Sequence, residues 1–376
     1  VPFIITPYYC VIGGWVMKYL FTFISGNALE AADNGGFFSN FIGYDAGSLS
    51  STIFSFNGPT PWFILFVLAT TIVVIFGVEK GIEKASRIMM PILAILAVVI
   101  AIYSLTIPGA MQGLKYYILP DFSQFSVSTV LGAMGQMFYS MSLAMGIMIT
   151  YGSYVKKDVN LSKSLSQIEI FDTTVAFLAG LMIIPAVYVF FGTEGMASGP
   201  SLMFVSLPKV FEAMGPLGGV LGMIFFLMVV FAALTSSVSI LETLVANCME
   251  IFHSTRKKTS LVIALLSAAA SVIICMGYNV FYFEMKLPNG ASAQLLDLMD
   301  YISNSFLMPF ISLLTCIFVG WIIRPMWICE EMEASGHTFK RKKMYAFMIR
   351  YVTPIIMAML FLQSAGVFEI IKNMFG

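Results

Sequence analysis

Charge is what this sequence has least of. Only 11% of its 376 residues are Asp, Glu, Lys or Arg, against roughly 25% in a soluble domain. Hydrophobic residues make up 59% and the mean hydropathy is +0.90, which excludes a water-soluble fold and predicts an all-α integral membrane protein. Histidine is scarcer still. His253 and His337 stand in or beside basic loops, so neither is expected to bind a metal. With no intramembrane histidine and no metal cluster, an intramembrane enzyme lacks a base for its nucleophile, and the chain is not expected to be an enzyme. The cysteines Cys10, Cys248, Cys275, Cys316 and Cys329 lie almost all in apolar runs without paired spacing, which argues against a disulfide framework or a metal site. Net charge is zero and no basic tract with interleaved aromatics stands out, so nucleic acid is not an expected partner. No leader precedes the first apolar run: Val1 is not Met, and VPFIITPYYCVIGGWVMKYLF starts in mid-span. An upstream part is therefore expected to be missing.

What the chain does have is long apolar runs. A helix needs about 20 apolar residues to cross a bilayer. Nine stretches qualify: 1–25, 60–78, 88–106, 128–154, 165–192, 217–252, 259–277, 294–324 and 343–367. Basic residues orient them. One set of loops carries fourteen, namely Lys80, Lys84, Arg87, Lys156, Lys157, Lys163, Arg256, Lys257, Lys258, Arg324, Lys340, Arg341, Lys342 and Lys343. The other set carries four, Lys115, Lys209, Lys286 and Lys372. The first set is expected on the cytoplasmic side, with Lys18 marking the outer end of the first span. Residues 26–58, 107–127, 193–216 and 278–293 then face out. Their Gly, Pro, Ser and aromatic content predicts structured loops, with 193–216 as a lid. No second domain is expected, and 1–376 reads as a single transmembrane unit.

Polar residues inside these runs mark candidate sites, because they are costly in lipid. In GQMFYSMSLAMGIMITYGSY (135–154), two hydroxyls and small residues around Ser140–Gly146 predict a broken helix. Irregular backbone at membrane depth persists only in protein or along a cavity, and such a break points to a transporter's binding site. The alternative is an ordinary span whose serines bond back to their own helix. Asp172 reads either as a structural carboxylate bonded to hydroxyls such as Thr173 or as a cation ligand. Leu234–Ser237 is predicted to interrupt the sixth span; its hydroxyls either back-bond or offer hard oxygens to a cation such as sodium. Glu242 is expected to partner a backbone or hydroxyl donor. Asp297 and Asp300 open the eighth span, where helix dipoles favour acids. Tyr9, well before Lys18, is expected at mid-membrane with a hydrogen-bond partner.

Taken together, PYYCVIGGW (7–15), GVEKGIEKASRIMMP (77–91), LPDFSQF (119–125), GQMFYSMSLAMGIMITYGSYVKKD (135–158), AALTSSVSILE (232–242) and LLDLMD (295–300) resemble the neurotransmitter:sodium symporter family, specifically its bacterial amino-acid transporters. The resemblance implies an inverted-repeat, leucine-transporter-like fold with broken helices. Nine of about eleven spans are present and the first two absent, together with the ion and substrate contacts those spans supply. It implies a sodium-coupled symporter for a hydrophobic amino acid, aliphatic or aromatic, in the plasma membrane of a bacterium. Two sodium ions are expected, with lipid and the amino acid as partners, and a homo-oligomer is compatible with this. The alternatives are a proton-coupled carrier using Asp172 or Glu242, and a member that binds an amino acid without transporting it.

By motif, the resemblance assigns Ile5, Tyr9, Tyr139, Ser140, Ser142, Met145, Ser236, Ser239 and Ile240 to the substrate pocket, with Tyr139 as its aromatic lid. One sodium falls to Ser140 and Asp172, the other to the Ala232 carbonyl with Thr235 and Ser236. Asp300 is implied at the outer gate, and Tyr154 and Glu250 at the inner one. Asp172 stands where chloride-dependent members carry asparagine, which implies chloride-independent transport. Ala144 replaces a glycine common in the unwound segment, and Met145 a frequent phenylalanine; methionine adapts to varied apolar side chains.

Overall fold

A computed structural model describes residues 1–33, 35–44, 54–193, 200–288, 292–334, 336 and 338–367. His337, Lys372 and parts of the loops 26–58, 193–216 and 278–293 lie outside the described residues.

The chain is helical almost throughout. The main helices are α1 (Pro2–Ile24), α2 (Pro59–Ile75), α3 (Val78–Thr106), α4 (Val127–Ser140), α5 (Ile147–Tyr154), α6 (Leu161–Phe191), α7 (Gly218–Phe252), α8 (Arg256–Met276), α9 (Leu295–Ile323), α10 (Pro325–Glu333) and α11 (Lys342–Ser364). Among the described residues, six are long and apolar enough to cross a membrane: α3, α6, α7 with the turn before it, α8, α9 and α11. The other three expected spans are the 23-residue α1, the 17-residue α2 and the pair α4 and α5. Helices dominate because an apolar segment must satisfy its own backbone groups. Local chemistry sets the ends. Pro59 opens α2, where a missing N–H costs nothing. Ser126 and Thr129 form a reciprocal capping box on α4. His253, at φ 47°, caps the end of α7 and donates its backbone N–H to Met249. The loops expected to face out hold short helices, Ala28–Ala31, Gly36–Ile42, Ala110–Ile118 and Leu207–Ala213, and a strand pair that sets Met285 opposite Ala293.

The chain divides into two compact units. One comprises Val1–Ile5, Gln124–Thr173 and Glu284–Gly376; the other comprises Thr6–Ser123 and Thr174–Phe283. The core of the second is aromatic, with Trp15, Tyr8, Tyr19, Phe63, Phe66, Phe204, Phe225 and Phe226 fully enclosed. Gly13 and Gly14 let α1 press on α2: a Cβ on Gly14 would lie 2.5 Å from the backbone nitrogen of Phe63, the close approach small residues permit between membrane helices. Lys18 lies buried inside α1, with its ammonium 5.5 Å from the Trp62 ring centre and 5.9 Å from that of Phe37. Cation–π attraction replaces water there. In the first unit, Leu131, Cys316, Met357 and Leu360 form a buried cluster joining α4, α9 and α11. All five cysteines are free thiols, buried except for the half-buried Cys248.

Candidate functional site

In the first unit, α4 stops at Ser140 and α5 begins at Ile147. The residues between bend sharply, with φ at 54° for Ser142, 60° for Ala144 and 77° for Gly146. Two non-glycine residues in left-handed conformation within three positions is strain, which surrounding structure must over-determine. The end of α4 is closed by Met141 N–H to the Met137 carbonyl and Leu143 N–H to the Phe138 carbonyl, both 3.0 Å. The break leaves a helix C-terminus, which favours cations, next to a helix N-terminus, which favours anions.

Ser140, the last residue of α4, donates its hydroxyl to Asp172 Oδ1 at 2.5 Å. Asp172 is half-buried in the first half of α6. Its partner is Ser140 on another helix, where the sequence alone pointed to nearby hydroxyls such as Thr173. The pair supplies three hard oxygens beside the partial negative charge of the α4 end, a donor set that suits an alkali cation. Among the described residues, no group of three or more His, Cys, Asp or Glu is placed to hold a metal ion.

Other expected site residues also belong to the first unit. Met145 and Ile5 are buried, while Ser142 and Tyr139 are half-buried. Tyr139 and Asp300 line one cavity of about 430 Å³ with Gln136, Asn304 and Gln363. Asn304 donates to Asp300 Oδ1 from the next turn of α9. Asp297 has a structural task instead, accepting the backbone N–H of Gln294 at 3.2 Å to cap α9. Tyr154 is exposed at the last residue of α5.

In the second unit, α7 runs unbroken through Leu234–Ser237, so the predicted interruption is absent. The reason is a ladder of hydroxyl and amide back-bonds four residues apart: Thr235 to the Phe231 carbonyl at 3.1 Å, Ser239 to Thr235 at 3.0 Å, Thr243 to Ser239 at 2.9 Å and Asn247 to Thr243 at 2.7 Å. Each polar side chain is satisfied within the helix, so none breaks it. Thr235 also donates to the Ala232 carbonyl at 2.9 Å, which gathers two expected cation ligands at one point. Ser236 is exposed beside them and shares a side-chain hydrogen bond with Tyr9. Ile240 is buried, and Glu250 is exposed near the end of α7.

Sequence reasoning missed the partner of Glu242. This fully buried carboxylate is gripped by both terminal nitrogens of Arg256, at 2.6 and 2.9 Å. Arg256 also reaches the Val74 carbonyl at the end of α2, at 3.3 Å. It had served only to count loop charges. The signal available was an intramembrane acid followed, one turn after the helix ends, by an arginine.

The Sodium:neurotransmitter symporter family model matches residues 38–374. An uncharacterized sodium-dependent transporter of Bacillus subtilis, YhdH, is 32% identical over 97% of this chain and 78% of its own length. Another, MJ1319 of Methanocaldococcus jannaschii, is 29% identical over 97% of this chain and 73% of its own length. The crystal structure of MhsT in complex with L-phenylalanine superposes with a TM-score of 0.81 at 33% identity, over 96% of this chain and 79% of that one. A broken helix beside a half-buried carboxylate, in a multi-pass helical protein with these relatives, leads to one conclusion: the chain belongs to the sodium:neurotransmitter symporter family.

Proposed function

We propose that this symporter carries a hydrophobic amino acid together with sodium, independently of chloride, across the plasma membrane of a bacterium. The observation that carries the reading is the Ser140–Asp172 pair at the break between α4 and α5. A bound sodium would take the Ser140 hydroxyl oxygen and the Asp172 carboxylate, turning the hydroxyl proton outward. A second would take the Ala232 carbonyl with Thr235 and Ser236. Asp172 supplies the fixed negative charge that an asparagine in its place would lack, so no chloride is needed to balance the ion. The apolar, buried Met145 and Ile5 suit a hydrophobic side chain, and the likeness to a protein crystallised with L-phenylalanine supports that substrate class. The α5 N-terminus, which no side chain caps, gives the substrate carboxylate a favourable field.

The driving force is electrical as well as chemical. Each sodium moving through the membrane potential contributes about 2.3 kcal/mol per 100 mV, equivalent to roughly a fiftyfold gradient of a neutral substrate. Coupling requires the ion to bind one conformational state better than the other. The test uses protein expressed from its whole gene and reconstituted in liposomes, with uptake of labelled L-phenylalanine and L-leucine measured under a sodium or a potassium gradient. Uptake with sodium alone, unchanged when gluconate replaces chloride and lost in Asp172→Ala, is expected. Equal uptake with potassium under a pH gradient would establish proton coupling, and binding without uptake would establish a non-transporting member. Chloride-stimulated uptake would refute chloride independence.

A further inference from the structure

We propose that the surface where α9 ends and α11 begins binds the anionic headgroup of a phospholipid. The sequence FKRKKMYAF, residues 339–347, carries four consecutive cations flanked by aromatics. The structure sets Lys340, Arg341 and Lys343 on the surface, with Arg324 exposed at the end of α9. Lys342 is committed to Glu333 of α10. The remaining acids of this surface, Glu330 and Glu331, are exposed on α10, so the cations outnumber them.

Beside the charges stand exposed aromatics. Trp321 is 59% exposed and Trp327 is 54% exposed. Trp321 meets Tyr351 edge-on at 5.9 Å, and its indole donates to the Arg350 carbonyl at 3.2 Å. Arg350 donates in turn to the Gly320 carbonyl at 3.0 Å. These bonds tie α9 to α11 beside exposed indoles, and tryptophan is the residue that prefers the membrane–water interface. Clustered cations immediately outside such spans attract anionic lipid. A nucleic acid would use the charges but not the indoles at the ends of membrane helices.

The chain has four tryptophans. Trp15 and Trp62 are buried, so quenching by lipids brominated in the acyl chain reports on Trp321 and Trp327. Protein reconstituted in phosphatidylcholine vesicles is titrated with brominated phosphatidylglycerol or brominated phosphatidylcholine. Each cation at an anionic surface is worth about fivefold in affinity. Half-quenching is therefore expected at a mole fraction of phosphatidylglycerol at least tenfold lower than of phosphatidylcholine. The combined variant Lys340→Gln, Arg341→Gln, Lys343→Gln should quench equally with both lipids. On the wild type alone, raising salt to about 0.5 M should erase most of the preference by screening. Equal quenching of the wild type by the two lipids, a preference that survives the triple variant, or one indifferent to salt, would each overturn the proposal.

Discussion

Arg256→Met should be the most damaging single substitution in the second unit. The variant leaves the fully buried Glu242 carboxylate without the guanidinium that holds it at 2.6 and 2.9 Å. Breaking a buried pair by removing one partner costs about 3–5 kcal/mol. Glu242→Gln should cost less, because Arg256 keeps 24% of its side chain exposed and can turn to water. Glu242→Leu with Arg256→Met should return to within about 1 kcal/mol of wild type, since apolar replacement of a whole pair is often neutral. Thermal unfolding in detergent at pH 7.5, followed by size-exclusion of the heated samples, compares the three variants with wild type. At roughly 2 cal/mol/K per residue, 4 kcal/mol moves the midpoint about 5 °C. A penalty for Arg256→Met smaller than that of Glu242→Gln, or a double variant no better than Arg256→Met alone, would refute this account.

Three further outcomes follow from local geometry. Ala144→Gly removes the Cβ from a residue at φ 60°, and the relief of about 1–2 kcal/mol outweighs the unfolded-state entropy of glycine; a midpoint rise of about 1 °C is expected, whereas Ala144→Val should lower it. Gly14→Val puts a carbon 2.5 Å from the Phe63 backbone and should cost at least 1–3 kcal/mol by overpacking, while Gly219→Ala, where an added carbon meets nothing within 4 Å, should be neutral in the same melt. Lys342 and a backbone N–H hold the Glu333 carboxyl below its ordinary value; the contribution of this pair is present above about pH 4.5 and fades as pH falls further, so Lys342→Met should matter at pH 7 and not at pH 3, as read by chemical denaturation.

The helices were largely legible, because twenty-residue apolar runs have one stable solution in lipid. The break at 141–146 was legible too, since small and hydroxyl residues cluster there and Gly146 provides the left-handed exit. The same kind of residue misled at 234–237. Hydroxyls in sequence do not reveal whether they bond back to their own helix, and the four-residue spacing of Thr235, Ser239, Thr243 and Asn247 was the overlooked sign that they do. Asp172 stood out by its cost, but Ser140 as its partner came from the resemblance, as those residues are 32 apart. The roles of Arg256 and Lys18 depend on which helices pack together, and composition or period carries no trace of that.

The cysteines have a practical consequence. All five are free, and four are sealed in the interior, leaving Cys248 the one partly accessible thiol in the set. A maleimide reagent applied to the folded protein therefore has a nearly blank background. Replacing Cys248 with alanine leaves residues 1–376 as a background for one or two placed labels without touching the buried four. A cysteine placed at Ser142 or Glu250 could then carry a spin label or a dye. Distances measured between such positions would follow the transporter through its cycle in the membrane.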